Sequence, residues 1–376
     1  MTAALNPLRL QRFCLCVVVL LLSCVRAVAG QTLTEPAAGE PVYVLFTCDV
    51  ESLRDGDPER DIWGKIGDEY HGITRMMDIF EQYGRKLTFF VNVYEVGDYG
   101  EEEMREICRA IVDRGHDIQL HTHPSSLFPE YPTMQSADYE KQKEILLLGK
   151  QLLSDLSGSQ IIAHRAGGFW ADYNTLSALR DTGFRLDSSM NHAWPSCGLN
   201  TPVLTINRAR VAHGILEIPV TVYAELHFDK LRRLRHLDVE SSSFAEFEKV
   251  FDAAVEYNIP TVVVMLHSFS FTRFGRINHK VEEKLAALLA HTNRDERLQA
   301  TTFSDLYELY STNPQVLEGN DFIPTTGLFL TYLRAWQRLD EGYKNVVFAL
   351  SPVAFIFCFL GVTVYVRKRF SRNRGH

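Results

Sequence analysis

Asp49 and Glu51 stand two residues apart directly after the apolar run Val42–Cys48. In an extended segment, residues i and i+2 leave the same face. Two carboxylates so placed suit a divalent cation, or one can bind metal while the other takes a proton. Solvated acids in a turn would give the same pattern. His121 and His123 repeat the spacing at the end of Asp117–His121, with Pro124 following. Two imidazoles on one face can share a zinc ion, although a single histidine is more often a hydrogen-bonded core residue. Arg165 leaves the apolar run Ile161–His164 into Gly167-Gly168. A guanidinium is costly to bury without a carboxylate, and Asp49 is the one it would naturally orient. Trp170, just beyond, offers a flat apolar wall for a sugar ring. Asp187 ends a short run, Phe184–Asp187, and His267 ends the wholly apolar Thr261–His267. A hydrogen bond from Asp187 to His267 would keep the imidazole protonated and ready to act as an acid.

The elements that must position these residues alternate along the chain. Strands are expected at 42–48, 86–91, 117–121, 161–164, 184–187, 203–206, 215–222, 261–267 and 298–302. Helices are expected at 72–83, 101–114, 136–157, 172–182, 244–257, 280–291 and 303–310. Residues 190–240 read as less regular. Strand followed by helix, repeated about seven times, implies a parallel sheet with helices outside it. At this length a closed or nearly closed barrel is favoured over an open sheet. Asp49, His121, Arg165, Asp187 and His267 all fall at the C-terminal ends of strands, where such barrels gather their chemistry.

The five segments, in this order and at these separations, resemble the polysaccharide deacetylase family (carbohydrate esterase family four, chitooligosaccharide deacetylase homology domain), in a divergent branch. The segments are Phe46-Thr47-Cys48-Asp49-Val50-Glu51, His121-Thr122-His123-Pro124-Ser125, His164-Arg165-Ala166-Gly167-Gly168, Leu186-Asp187-Ser188-Ser189 and Met265-Leu266-His267-Ser268. The resemblance covers roughly residues 42–310. It implies a distorted (β/α)7 barrel that binds one divalent ion, most simply zinc. It implies Asp49 as general base, Arg165 contacting it, and His121 as the first metal histidine. It also implies His267 as catalytic histidine, Asp187 as the acid that tunes it, and Leu266 as a pocket residue. The chain departs from the family at Val50, where a second aspartate normally ligates metal, and at Ser125, where a second histidine is usual. Glu51 is expected to fill the first role. At the second, either His123 substitutes or the site has one histidine fewer.

Residues 1–30 combine Arg9 and Arg12, the apolar stretch Phe13–Val25 and the small residues Ala27-Val28-Ala29-Gly30, as a secretory signal peptide does. Asn345–Val366 lacks charge over the length of a bilayer span, and Arg367-Lys368-Arg369 follows at once. The expected organisation is a signal peptide (1–30), a linker (31–41), a deacetylase-like catalytic domain (42–312), a juxtamembrane segment (313–344), a transmembrane helix (345–366) and a basic cytosolic tail (367–376). This describes a single-pass membrane protein whose catalytic domain lies in a periplasm, at a cell surface or in an ER lumen. The 376 residues are 46% hydrophobic and 23% charged, an ordinary globular composition. Against 47 acids stand 39 Lys and Arg. Eight of the basic residues and none of the acids lie in the two ends, so the middle is strongly acidic. That argues against nucleic acid as a partner and against docking on anionic lipid. Outside those ends only Cys48, Cys108 and Cys197 remain, too few for disulfides to build the fold.

The expected activity is metal-dependent removal of N-acetyl groups from a glycan. Two alternatives stand beside it. One is a membrane-tethered glycan-binding protein with a degenerate site, suggested by Val50 and Ser125. The other is a hydrolase of another non-peptide C–N bond. Glycan linkage and oligomeric state are not specified by the sequence.

Overall fold

The computed structural model describes residues 41–53, 56–200, 205–228, 231–273, 275–339 and 345, all within the compact unit Pro36–His376. Its centre is strand β1 (Val42–Val50), every residue of which is buried. No polar face alternates along it because both faces are covered, as parallel sheets require. One edge of β1 pairs in parallel with β10 (Thr261–His267), in the register Tyr43↔Thr261 to Asp49↔His267. The other edge is shared. Its first half pairs with β11 (Leu298–Thr301) and its second half with β2 (Thr88–Val91).

From β2 the sheet continues in parallel through β3 (Asp117–Thr122), β4 (Ala163–Ala166), β5 (Leu186–Asp187) and β7 (Ile215–Glu217). The short strand β6 (Arg210–Ala212) is added antiparallel to β7. Between β7 and β10 the curled sheet is bridged by irregular chain. Ile218 N donates to Asp187 O, Leu237 N to Thr221 O, Met265 N to Leu237 O and Val239 N to Met265 O, at 2.8–3.0 Å. Of the expected distorted (β/α)7 barrel, the curled parallel α/β sheet is present, and single backbone bonds bridge one side where a regular strand pair would close it.

Helices cover the sheet. In α1 (Ile73–Gln82) the spacing of Ile73, Met76, Met77 and Phe80 sends one stripe into the core. In α2 (Glu101–Val112), Glu101, Glu102 and Glu103 occupy the first turn, where the helix dipole favours acids. Asp138 caps α3 (Tyr139–Ser157), and Gly158 at φ 72° ends it. Reciprocal caps start α4 (Tyr173–Asp181, Asp172 with Thr175) and α5 (Phe244–Glu256, Ser243 with Glu246). The outer layer is completed by α6 (His279–Arg294), α7 (Phe303–Thr312) and α8 (Leu328–Gln337).

Several expectations change. The 190–240 stretch contains an antiparallel hairpin, β8 (Val222–Phe228) with β9 (Leu231–His236). Thr205 and Ile206 lie outside any strand, and 215–222 splits after Glu217. Helix α8 falls in the stretch read as juxtamembrane, and its Arg334 pairs with Glu225 of β8. Cys48, Cys108 and Cys197 are buried free thiols. The single-pass placement and the anchoring through a C-terminal helix are overturned: among the described residues no helix is long and apolar enough to cross a membrane. The signal-peptide segment 1–30 and the tail 367–376 lie outside the described residues, as does all of 345–366 except Asn345.

Candidate active site and metal centre

Because β1, β3, β4 and β10 run parallel, their C-terminal ends open on one side of the sheet and deliver their last side chains to one place. Asp49 and His267 are register partners on β1 and β10, and His121 and Arg165 are partners on β3 and β4. Glu51 follows β1 by one residue. Its Oε2 lies 2.6 Å from His123 Nε2 and 3.4 Å from His121 Nε2, and its Oε1 lies 3.9 Å from His267 Nε2. Burial opposes charge on Glu51, but the neighbouring imidazoles of His121 and His123 hold its carboxyl well below the usual carboxylate range.

Glu51, His121 and His123 each offer a ligand atom, all within 4.8 Å of one another. Both ring nitrogens of the buried His121 lack a hydrogen-bond partner. A buried imidazole left this way is destabilising unless something else binds it. Two imidazoles and a carboxylate are the donor set of a zinc-like divalent ion. The residues therefore fit a metal. Gly167 makes room for the set, because a Cβ there would sit 2.3 Å from the His123 ring. Asn92 Oδ1 accepts from His123 N at 3.0 Å and fixes the backbone beneath it.

Asp49 lies against Arg165. The guanidinium Nη1 donates to Asp49 Oδ1 at 2.7 Å and to Thr47 Oγ1 at 2.9 Å, while Nε and Nη2 reach the Ser188 carbonyl and hydroxyl. Its flat face covers the Phe90 ring at 4.3 Å. The arginine is held on several sides and points at one carboxylate.

His267 Nδ1 is 2.9 Å from Glu240 Oε1, which also accepts from Ser270 Oγ at 2.7 Å. Burial would discharge His267, but the Glu240 hydrogen bond and field, with Glu51 and Asp49 beyond, push its pKa up to about 10. Glu240 thus has the place expected of Asp187. The correction follows from sheet order. Strand β5, which ends at Asp187, is separated from β10 by β1, β2, β3 and β4. Asp187 instead accepts from Ser189 Oγ at 2.8 Å and lies 2.7 Å from His164 Nδ1, whose Nε2 meets Thr122 Oγ1 at 3.0 Å. Burial and the charge of Asp187 push Glu217 well above the carboxylate range. This buried group braces Ser188 and Ser189 beneath Arg165.

Sequence reasoning missed Glu240, although a signal existed. The tetrapeptide Asp-Val-Glu-Ser occurs at 49–52 and again at 238–241. The two copies flank β10, Asp49 being in register with His267 and Asp238 with Met265. His267 therefore has one copy's glutamate on each side.

A groove of about 850 Å³ leads away from His267 and Glu240. Its walls include Trp194, Arg235, His236, Phe269 and Arg338. Two of the expected substrate contacts are absent from those walls: Leu266 is fully buried, and Trp170 is exposed elsewhere. Trp194 supplies the aromatic wall, its ring 5.8 Å from Phe169 and 5.9 Å from His236. Val50 points into the core and Ser125 is exposed on a short turn, so neither departure leaves a gap among Glu51, His121 and His123.

Residues 61–186 match the family model for polysaccharide deacetylases. A peptidoglycan deacetylase of Helicobacter pylori is 25% identical over 123 residues, 32% of this chain and 38% of that protein. A peptidoglycan deacetylase-like protein of Gibberella zeae is 27% identical over 122 residues, 32% of this chain and 33% of its own length. The chain thus spans little more than a third of these curated relatives. A Mycobacterium smegmatis protein assigned to the polysaccharide deacetylases shares the fold, with a TM-score of 0.50 at 17% identity over 79% of this chain and 98% of that one. The matched segment holds His121, His123 and Arg165, which the fold brings to Asp49 and Glu51, and over that segment the chain is similar to polysaccharide deacetylases.

Proposed function

We propose that this protein is a metal-dependent hydrolase that removes N-acetyl groups from a glycan. The observation that carries the reading is the Glu51 carboxylate set between His121 and His123, with Asp49 and His267 in register beside it. The names of the two curated relatives support an N-acetylated glycan as substrate. Glu51, His121 and His123 would hold the divalent ion, zinc being the simplest choice for these donors. When bound, such an ion supplies Lewis acidity to a carbonyl oxygen and acidifies water.

The chain's own residues do the proton work. Asp49 takes the proton of the water that attacks the acetyl carbonyl. Arg165 engages its Oδ1 and so fixes the carboxylate's orientation. His267 presents Nε2, because Glu240 holds Nδ1. It protonates the amine as the C–N bond breaks, so acetate and a free amino sugar leave. Trp194 and Phe269 give the groove apolar faces on which sugar rings stack.

The test is metal analysis of the purified protein, followed by acetate release from N-acetylglucosamine oligomers and from peptidoglycan fragments. Stoichiometric metal with acetate release supports the reading. Glycan binding without metal or acetate would replace it with a non-catalytic binder, the alternative that Val50 and Ser125 motivate.

A further inference from the structure

The turn that presents Glu240 is gripped by side chains from outside the sheet. After β9 the chain runs through Asp238–Ser243 before α5 begins. Arg235 Nη2 donates to Ser241 Oγ, and Arg338 Nη1 to the Ser241 carbonyl at 2.9 Å. Lys284 of α6 donates to the Ser242 carbonyl at 2.6 Å, and Tyr223 OH meets Ser242 Oγ at 3.2 Å. Below the turn, Arg334 is buried against Tyr223 OH and the carboxylates of Glu225 and Glu246. Glu246 Oε2 in turn accepts from Ser243 N at 2.8 Å and from Ser243 Oγ at 2.9 Å.

Arg334 lies in the last turn of α8, and Arg338 is the residue that caps its C-terminus. This helix lies well beyond the family-matched segment 61–186. A charge buried with two carboxylates resists displacement, because moving it strands unpaired charge.

We infer that α8 is part of the framework of the reactive centre, with Arg338 and Arg334 as positioning residues that hold Glu240 against His267. This rests on the reading in which His267 delivers a proton to the leaving amine. The path is short. Arg338 fixes the Ser241 carbonyl, which fixes the adjoining Glu240 backbone and hence the 2.9 Å contact with His267 Nδ1. A charge-assisted hydrogen bond of that length is lost with a displacement of about 1 Å.

The experiment is a double-mutant cycle in the full chain, with Arg338→Ala, Glu240→Gln and both together. Arg338→Ala is expected to lower kcat about tenfold, and by less than about twofold once Glu240 is already Gln. Arg338→Lys restores most of the loss. Equal losses in both backgrounds would overturn the inference, since Arg338 would then act on substrate or on stability alone. Hydrogen exchange gives a readout independent of turnover. Arg338→Ala and Arg334→Lys should accelerate amides 238–243 while β1 and β10 stay protected. Unchanged exchange at 238–243 in Arg338→Ala would also overturn it. Should wild type release no acetate while those amides still loosen, the deacetylase reading fails and the clasp on the turn stands.

Discussion

Arg165 Nη1 lies 2.7 Å from Asp49 Oδ1, and both side chains are sealed from solvent. Removing one partner of such a buried ion pair leaves the other without its compensating group. Arg165→Met should therefore destabilise the fold by about 3–5 kcal/mol, read from denaturant unfolding, because it strands a buried charge. Asp49→Asn replaces the carboxylate at nearly constant volume. It should reduce acetate release at least a hundredfold or so while metal content is unchanged. Near-normal rates in Asp49→Asn would show that another group takes the proton.

His121 is buried, and neither ring nitrogen has a hydrogen-bond partner within the protein, which suits a metal ligand. His121→Ala should drop bound metal from about one equivalent to a small fraction, measured by elemental mass spectrometry after dialysis. Retention of wild-type stoichiometry would remove His121 from the ligand set.

Gly167 supplies a test that touches no candidate ligand. Its missing Cβ leaves the space that the His123 ring fills. Gly167→Ala must push that ring away, and metal affinity should fall about 10- to 100-fold, as when a supporting contact to a metal site is lost. Competition with a chromogenic chelator reads this directly. An unchanged affinity would mean that His123 is dispensable.

His116 makes stability depend on pH. It is buried, and accepts a hydrogen bond from Leu87 N at Nδ1. Burial, helped by Lys86, lowers its pKa to about 4. The folded state thus holds the neutral ring while an unfolded chain takes up a proton near pH 6.5. The contribution is complete above about pH 6.5 and is lost as pH falls toward 4, amounting to as much as about 3 kcal/mol. Thermal melts across that range should show this decline, and His116→Gln should flatten it. An equally steep decline in the variant would place the effect on other groups.

The buried strands and the convergence of Asp49, Glu51, His121, His123, Arg165 and His267 were legible because apolar runs ended in polar residues on parallel strands. Strand order was not legible. Asp187 ends a strand as His267 does, yet nothing local says that four strands separate them. Glu240 escaped because its turn has no strand or helix periodicity and is held by long-range partners such as Arg338, 98 residues from it in the chain. Helix α8 was hidden for a related reason. Its Leu328, Phe329, Leu333 and Trp336 face outward, while Arg334 is turned inward to meet Glu225 and Glu246, the reverse of the usual binary pattern.

Strand β1 draws all three of its sheet neighbours from later in the chain, two of them more than two hundred residues away. Contacts of such long range form late, after most of the loop-closure entropy has been overcome. Asp49 emerges early during synthesis but meets His267 only when β10 has been made and docked. The chain therefore has no assembled reactive centre for most of its time on the ribosome, and competence arrives together with the completed core.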